Sequence, residues 1–151
     1  MFMEKLIILN SREIKTILKL IKNQWKADFG KEYAFLMNSK NKIFLINRDI
    51  SKIDLNKLRI NNMGLYFGEL KNDELRLSIE GSQLIGPLAK KNILELDDNE
   101  AREYLKGADL DKKTKEKGFL LIKNNDNFLG TGKATGEKIF NYTPKERRIK
   151  S

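Results

Sequence analysis

The side chains able to perform chemistry in this chain are few, because its 151 residues include neither Cys nor His. A thiolate nucleophile, a disulfide, a Ser–His or Cys–His relay and a zinc site built on Cys or His are therefore excluded. The acidic pairs Asp97–Asp98 and Glu100–Glu103 fall at a predicted helix start, where they stabilise the helix dipole. We expect no catalytic residue, no metal and no cofactor.

Two glycine-rich stretches, Gly64–Gly68 and Gly130–Gly132, are the candidates for a phosphate-binding loop. Neither ends in Gly-Lys-Ser/Thr, and neither opens a helix after a strand, as nucleotide-binding loops do. Gly130 and Gly132 stand inside a predicted strand, where glycine marks a bulge or a close backbone approach. A bound nucleotide cofactor is therefore not predicted.

The positive charge of the chain is large and uneven. Lys and Arg number 30 against 21 Asp and Glu, so the net charge is +9. Residues 55–132 hold 13 basic and 13 acidic side chains, whereas residues 133–151 hold six basic and two acidic ones. Such an excess favours an anionic partner, most often a nucleic acid. The alternative is a solvated Lys-rich surface, since 23 of the basic residues are Lys.

The sharpest feature is the segment from Asn141 to Arg148. Pro144 ends the strand pattern and places the following cations on a defined turn, and guanidinium groups bind phosphates bidentately and stack on bases. Alternation along Lys138–Tyr142 predicts that Lys138 and Tyr142 share one sheet face. The predicted nucleic-acid contacts, expected to converge in one groove, are Arg59, Lys71, Lys133, Lys138, Tyr142, Lys145, Arg147 and Arg148. The alternative location is the basic face of the helix at Lys15–Lys26.

The first half of the chain has the pattern of a small α/β unit. Leu6–Leu9 predicts a short buried strand or a lead-in to a helix. Asn10 and Glu13 form a predicted capping box for a helix over Ser11–Lys26. The apolar face of that helix is expected to bury Ile14, Ile17, Leu18, Ile21 and Trp25. A hairpin (Tyr33–Met37 with Lys42–Asn47) and a helical turn (Ile50–Leu58) follow.

The second half is predicted to be mainly β. Its elements are a hairpin (Gly64–Leu70 with Glu74–Ser78), an irregular helix (Ile79–Ala89), a strand (Ile93–Leu96), a helix capped by Asp97 and stopped by Gly107, a loop over residues 108–117, and the strands Gly118–Lys123, Phe128–Lys133 and Lys138–Tyr142. We therefore predict an α+β fold, in which a small α/β N-terminal unit (residues 1–57) packs on a mixed, barrel-like β module of five or six strands (residues 58–151).

The second half contains three motifs in chain order: Gly-Leu-Tyr-Phe-Gly-Glu-Leu-Lys at 64–71, Leu-Gly-Thr-Gly-Lys at 129–133, and Asn-Tyr-Thr-Pro-Lys-Glu-Arg-Arg at 141–148. With these motifs, residues 56–150 resemble the PUA-like C-terminal region of the bacterial and archaeal Nop2/Sun family of ribosomal RNA cytosine-5 methyltransferases. The layout of the first half is similar to the pre-PUA unit of the Nip7 ribosome-biogenesis family.

The resemblance implies an RNA-binding protein that acts on structured rRNA or tRNA, in ribosome biogenesis or RNA modification. The family's enzymes need a domain for S-adenosylmethionine and a catalytic Cys pair; this chain has no room for the first and no Cys, so no enzyme is predicted. The alternative is a protein-interaction subunit that assists a separate RNA methyltransferase or a ribosome assembly factor. The longest apolar run, Tyr33–Met37, has five residues, and a membrane span needs about 20, so no membrane partner is expected. The absence of Cys fits the expected cytoplasmic location.

Overall fold

The computed structural model describes residues 6–30, 32–47 and 64–150. Its strands and helices are, in chain order, β1 (Ile7–Ile8), α1 (Ser11–Trp25), β2 (Tyr33–Met37), β3 (Lys42–Asn47), β4 (Leu65–Lys71), β5 (Glu74–Leu77), α2 (Ile79–Ile85), β6 (Ile93–Glu95), α3 (Asp98–Leu105), β7 (Gly118–Asn124), β8 (Asn127–Ala134) and β9 (Ile139–Phe140). Short 3₁₀ turns cover Gly86–Leu88 and Lys145–Arg147. The predicted helical turn at 50–58 lies outside the described residues.

The strands form two sheets, and the α+β class predicted from the sequence is confirmed. One sheet is antiparallel with the order β1-β2-β3-β4-β5. The other has the order β6-β7-β8-β9, with β6 parallel to β7 and the remaining pairs antiparallel. One of the two sheets is curled into a half-barrel, as in a PUA-like barrel.

The hairpin β4–β5 pairs differently from the expectation. It was predicted as part of the second unit, but β4 pairs with β3 of the first half, with Lys42 opposite Glu69 and Ile43 opposite Gly68. This pairing satisfies the backbone groups on the free edge of β3, and it leaves four strands rather than five or six in the second sheet. The predicted boundary between residues 57 and 58 lies outside the described residues and stays a prediction.

Helix α1 begins and ends where the sequence predicts. The Asn10 side chain accepts the Glu13 backbone N–H, and the Glu13 carboxylate accepts the Asn10 N–H, so the capping box is confirmed. Ile17, Ile21 and Trp25 are buried, and Ile14 and Leu18 pack against the same core. The preceding run Leu6–Leu9 contains the strand β1, and Leu9 is buried as predicted. The prediction is wrong for Ile7 and Ile8, because their place at the sheet edge leaves them 60% and 47% exposed.

Strand β7 is the common wall of two hydrophobic cores. Its side chains alternate, so Phe119 and Leu121 join the core under α1, while Leu120 and Ile122 join the core under α3. The buried Trp25 indole N–H donates to the Phe119 carbonyl at 3.1 Å. Helix α1 is therefore attached to the second sheet as well as to the first.

The outer edge of β5 is closed by a side chain instead of a strand. The Gln24 amide donates to the Leu75 carbonyl at 2.9 Å and accepts the Leu75 N–H at 2.8 Å. A primary amide offers a donor and an acceptor, as a neighbouring backbone would. This contact satisfies the outward N–H and C=O of Leu75, which otherwise would be open to pairing with another chain.

The last strand is shorter than the predicted Lys138–Tyr142. It ends at Phe140, because Asn141 leaves the ladder to bond elsewhere. Its backbone N–H donates to the Asp109 carboxylate at 2.8 Å, and its side-chain amide donates to the carbonyls of Tyr104 and Ala108. The predicted loop 108–117 supplies this partner and also one bridge, in which Leu110 pairs with Ile139.

The glycine-rich strand behaves as the sequence indicates. The register of β7 and β8 shifts at Ile122/Lys123, and Gly130 beside it has a φ of 147°, which glycine adopts without strain. A side chain at Gly132 would overlap Ile139 and approach the Phe140 carbonyl oxygen. Both glycines serve the strand and its neighbours, as predicted, rather than a phosphate loop.

Candidate functional site

A cleft of about 640 Å³ opens where three parts of the chain meet. The parts are the hairpin β4–β5, the start of α2, and the segment from Tyr142 to Arg147 that leaves β9. Strand β8 contributes the floor through Gly130 and Thr131. The volume falls in the range of about 300–1,000 Å³ that is common for small-ligand sites.

One wall of the cleft comes from the outer face of the first sheet. Lys42, Glu69 and Arg76 are successive cross-strand partners on β3, β4 and β5, so their side chains share that face. The Arg76 guanidinium donates to the Glu69 carboxylate at 3.2 Å. Tyr66 stands beside them, and the pKa of its phenol is raised by burial and then by the negative charge of Glu69.

The opposite wall comes from the C-terminal segment. The Arg76 guanidinium carbon lies 4.6 Å from the centre of the Tyr142 ring, so the two walls meet in a cation–π contact. On its own side of the cleft Tyr142 lies against Phe119, with ring centres 6.1 Å apart. Arg147 donates to the Glu80 carboxylate of α2 at 2.6 Å. These contacts fix Tyr142 and Arg147 in place.

The floor is held by buried polar contacts. The hydroxyls of Ser82 and Thr131 hydrogen-bond at 2.8 Å between α2 and β8. Ser78 caps α2 by accepting the Gly81 N–H at 2.9 Å. Burial raises the pKa of the Tyr104 phenol well above its ordinary value, so this residue stays neutral. The cleft is therefore built on a rigid base.

The charges in the cleft are balanced. Its basic side chains are Lys42, Arg76 and Arg147, and its acidic ones are Glu69, Glu80 and Glu146. A channel for phosphates alone would exclude carboxylates. The described residues contain no group of three or more acidic side chains placed to hold a metal ion. In the same part of the chain no helix is long and apolar enough to cross a membrane.

The structure brings some of the predicted contact residues to this region. Tyr142 and Arg147 line the cleft. Lys133 lies nearby, with its ammonium 5.2 Å from the Phe119 ring centre, and its cross-strand partner is Phe140. Directly paired residues share a sheet face, so Lys133 and Phe140 project together, and Phe140 is 39% exposed.

Other predicted contacts are placed apart from the cleft. Arg148 does not follow Arg147, because its Nε donates to the Thr143 carbonyl at 3.0 Å and its side chain lies on Gly107 after α3. Arg147 and Arg148 therefore bond different parts of the chain, and their common contact with RNA stays a prediction. Lys71 ends β4 at the hairpin tip, Lys145 is exposed on the last turn, and Lys138 is half-buried just before β9. Arg59 lies outside the described residues.

Sequence reasoning missed one wall of the cleft. Glu69 and Arg76 belong to residues 55–132, where basic and acidic residues balance, so no charge pattern singles them out. Tyr66 is different, because its alternation with Phe67 predicts that one of the two rings is exposed. The one available signal is the alternation of side chains along β4, which places Glu69 on the same face as Lys71, two positions further on.

Comparison with known proteins finds similarity in the second half of the chain. A family model described as the PUA domain of the methyltransferase RsmF matches residues 91–149. Ribosomal RNA small subunit methyltransferase F of Aeromonas salmonicida is 30% identical over 91 residues, which make up 60% of this chain and 19% of that protein. The protein of the same name from Shewanella oneidensis is 26% identical over 132 residues, or 85% of this chain and 27% of that protein.

The alignment with the Shewanella protein extends into the first half of the chain, but the likeness of that half to a Nip7-type unit stays a prediction. Each alignment spans only 19% to 27% of the relative. The family match contains β6 to β9 and the C-terminal segment with Tyr142 and Arg147. Residues 91–149 therefore form a PUA-like region that resembles the C-terminal part of the Nop2/Sun-type ribosomal RNA methyltransferases.

Proposed function

We propose that this chain is a non-catalytic RNA-binding protein that works in the modification of ribosomal RNA. The match of residues 91–149 to the RsmF PUA domain supports the class of partner, and the relatives are named as methyltransferases of small-subunit ribosomal RNA. A role in ribosome biogenesis, a tRNA ligand and a cytoplasmic location are parts of the same proposal. The net charge of +9 suits a polyanionic ligand.

The observation that carries the proposal is the face of the second sheet that holds Lys133 and Phe140, with Tyr142 beside it against Phe119. Lys133 and Phe140 are cross-strand partners, and Tyr142 contacts Phe119, the other partner of Lys133. Phe140 and Tyr142 are 39% and 38% exposed. Exposed aromatic rings beside a cation are the elements with which proteins bind unpaired RNA.

Three predicted contacts are best suited to phosphates. Among the described residues, no carboxylate lies within ion-pair distance of Lys133, Lys138 or Lys145. Arg147 and Arg148, in contrast, already bond Glu80 and the Thr143 carbonyl. A cation that pairs with no carboxylate has no ion pair to break on turning to a phosphate.

Changing Lys133, Lys138 and Lys145 together to Gln should weaken binding to a small-subunit rRNA transcript and flatten its salt dependence. Each phosphate contact contributes about 0.7–0.9 to the slope of log affinity against log salt, so three should remove about two units. The measurement is fluorescence anisotropy over a range of salt concentrations.

The control for this triple variant removes the same charge from Lys91, Lys113 and Lys115, which are exposed elsewhere. An equal loss of slope in the control would show that any lysine serves, and would refute the assigned face. A third variant at Lys15, Lys19 and Lys26 tests the alternative surface on α1, whose lysines are also exposed.

The non-catalytic part of the proposal rests on the absence of Cys and His from the sequence. Incubation of the pure chain with S-adenosylmethionine and rRNA is expected to transfer no methyl group, which scintillation counting of labelled RNA measures. Repeated methyl transfer to the rRNA by the unmodified chain would by itself contradict the non-catalytic assignment.

The second candidate function is a protein-interaction subunit that assists a separate methyltransferase or a ribosome assembly factor. It is favoured by the exposed apolar edge strand β1 of the first sheet, where Ile7 and Ile8 are 60% and 47% exposed. If the chain is a protein-interaction subunit, the purified chain should show no salt-dependent affinity for RNA. If it is an RNA-binding protein, its affinity for RNA should fall steeply as salt is raised.

A further inference from the structure

We propose that the cleft binds one unpaired nucleotide of the RNA. Its base stacks on the Arg76–Tyr142 pair, and an exocyclic amino group of the base donates a hydrogen bond to the carboxylate of Glu69 or Glu80. The proposal rests on the proposed RNA-binding function and adds to it a base-binding subsite. It also assigns the wall on β4 and β5, which lies outside the matched residues 91–149.

The balance of charge identifies the part of the nucleotide that enters. Three carboxylates offset the three basic side chains of the cleft in a protein whose net charge is +9. The cleft therefore has no excess of positive charge to hold a phosphate, and it suits an uncharged base. The sugar–phosphate backbone would then stay outside, on the face that carries Lys133.

The Arg76–Tyr142 pair offers two planar groups at the cleft, with the guanidinium over the tyrosine ring. The guanidinium lies 4.6 Å from the ring centre, and Glu69 and Phe119 hold the two groups from either side. The Arg76 side chain is 21% exposed and Tyr142 is 38% exposed, so both remain accessible. Unpaired bases stack on tyrosine rings and on arginine planes.

The carboxylates determine which bases fit. Glu69 uses its Oε2 for Arg76, and Glu80 uses its Oε1 for Arg147, so each retains further acceptor positions. A carboxylate accepts hydrogen bonds and donates none. Cytosine, adenine and guanine carry an amino group to donate, as cytosine N4 does to Glu or Asp, and uracil carries none.

The test compares two fluorescent oligonucleotides of equal length and charge, hexacytidylate and hexauridylate. Because phosphate contacts are the same, their affinity ratio reports the base alone. We expect hexacytidylate to bind about tenfold more tightly, within the range of a specific base contact. Replacing both Glu69 and Glu80 by Ala should reduce that ratio toward one, whereas the charge-matched Glu116→Ala, at an exposed loop residue, should leave it unchanged.

Stacking is tested separately at Tyr142. Tyr142→Ala should weaken hexacytidylate binding about tenfold, as loss of one stacked base does. Tyr142→Leu keeps an apolar side chain against Phe119 but has no planar ring, so it should lose as much while its melting temperature stays near that of the unchanged protein.

Equal affinity of the unchanged protein for the two oligonucleotides would overturn the subsite. Full hexacytidylate affinity in a Tyr142→Leu variant that melts normally would overturn it as well. Both results are compatible with a salt-dependent loss in the Lys133, Lys138 and Lys145 variant, so the broader RNA-binding function would stand. Absence of binding to every RNA would refute both.

Discussion

Replacing Trp25 by Ala is expected to lower the free energy of unfolding by about 3–5 kcal/mol, the usual cost of truncating a buried large aromatic residue. Trp25 has no exposed surface and belongs to the core shared by α1, both sheets and the end of β5. Its indole also donates to the Phe119 carbonyl on β7. The variant therefore leaves a cavity and an unpaired carbonyl at the junction of the two sheets. Urea unfolding followed by circular dichroism measures the change.

The matched variant Trp25→Phe separates packing from the hydrogen bond. It keeps an aromatic ring in the core but cannot donate to Phe119, so the loss should be about 1–3 kcal/mol, the cost of an unsatisfied buried polar group. If Trp25→Ala cost less than Trp25→Phe, or if both were neutral, the central place of this side chain in the fold would be contradicted.

Gly81→Ala is expected to destabilise the protein by about 1–3 kcal/mol, the range for overpacking a closely packed site. Helix propensity alone predicts the opposite sign, a gain of about 0.5–1 kcal/mol for alanine inside a helix. The reason for the reversal is that a methyl carbon at Gly81 would overlap the Phe67 carbonyl oxygen of β4. A backbone atom cannot rotate away, so α2 must shift from the sheet.

Gln83→Ala is the control for this prediction, because Gln83 is an exposed residue of the same helix. Its effect should stay within about 0.5 kcal/mol, as for most surface substitutions. The measurement is thermal unfolding of both variants. A melting temperature of Gly81→Ala at or above that of Gln83→Ala would contradict the close contact between α2 and β4.

The local elements of this protein follow from short stretches of sequence. The capping boxes of Asn10 with Glu13 and of Asp97 with Glu100 are both present. The hairpin Tyr33–Met37 with Lys42–Asn47 has the predicted limits. These signals succeed because a cap joins residues three apart, and because strand and helix periods are set within a few residues. The sequence also indicates Tyr142 and Arg147 as contact residues, because both lie within three residues of Pro144 in the segment Asn141–Arg148.

The partners of those elements were decided only by the tertiary structure. The pairing of β4 with β3, the end of β9 at Phe140 and the position of the Arg148 side chain on Gly107 all depend on groups distant in the chain.

The cleft is the clearest case, because Arg147 meets Glu80 across 67 positions of the chain. The Trp25–Phe119 bond likewise joins residues 94 positions apart. A periodic pattern states which face of an element is apolar but not which other face it meets. That choice comes from the packing of the whole core, where close packing admits few arrangements.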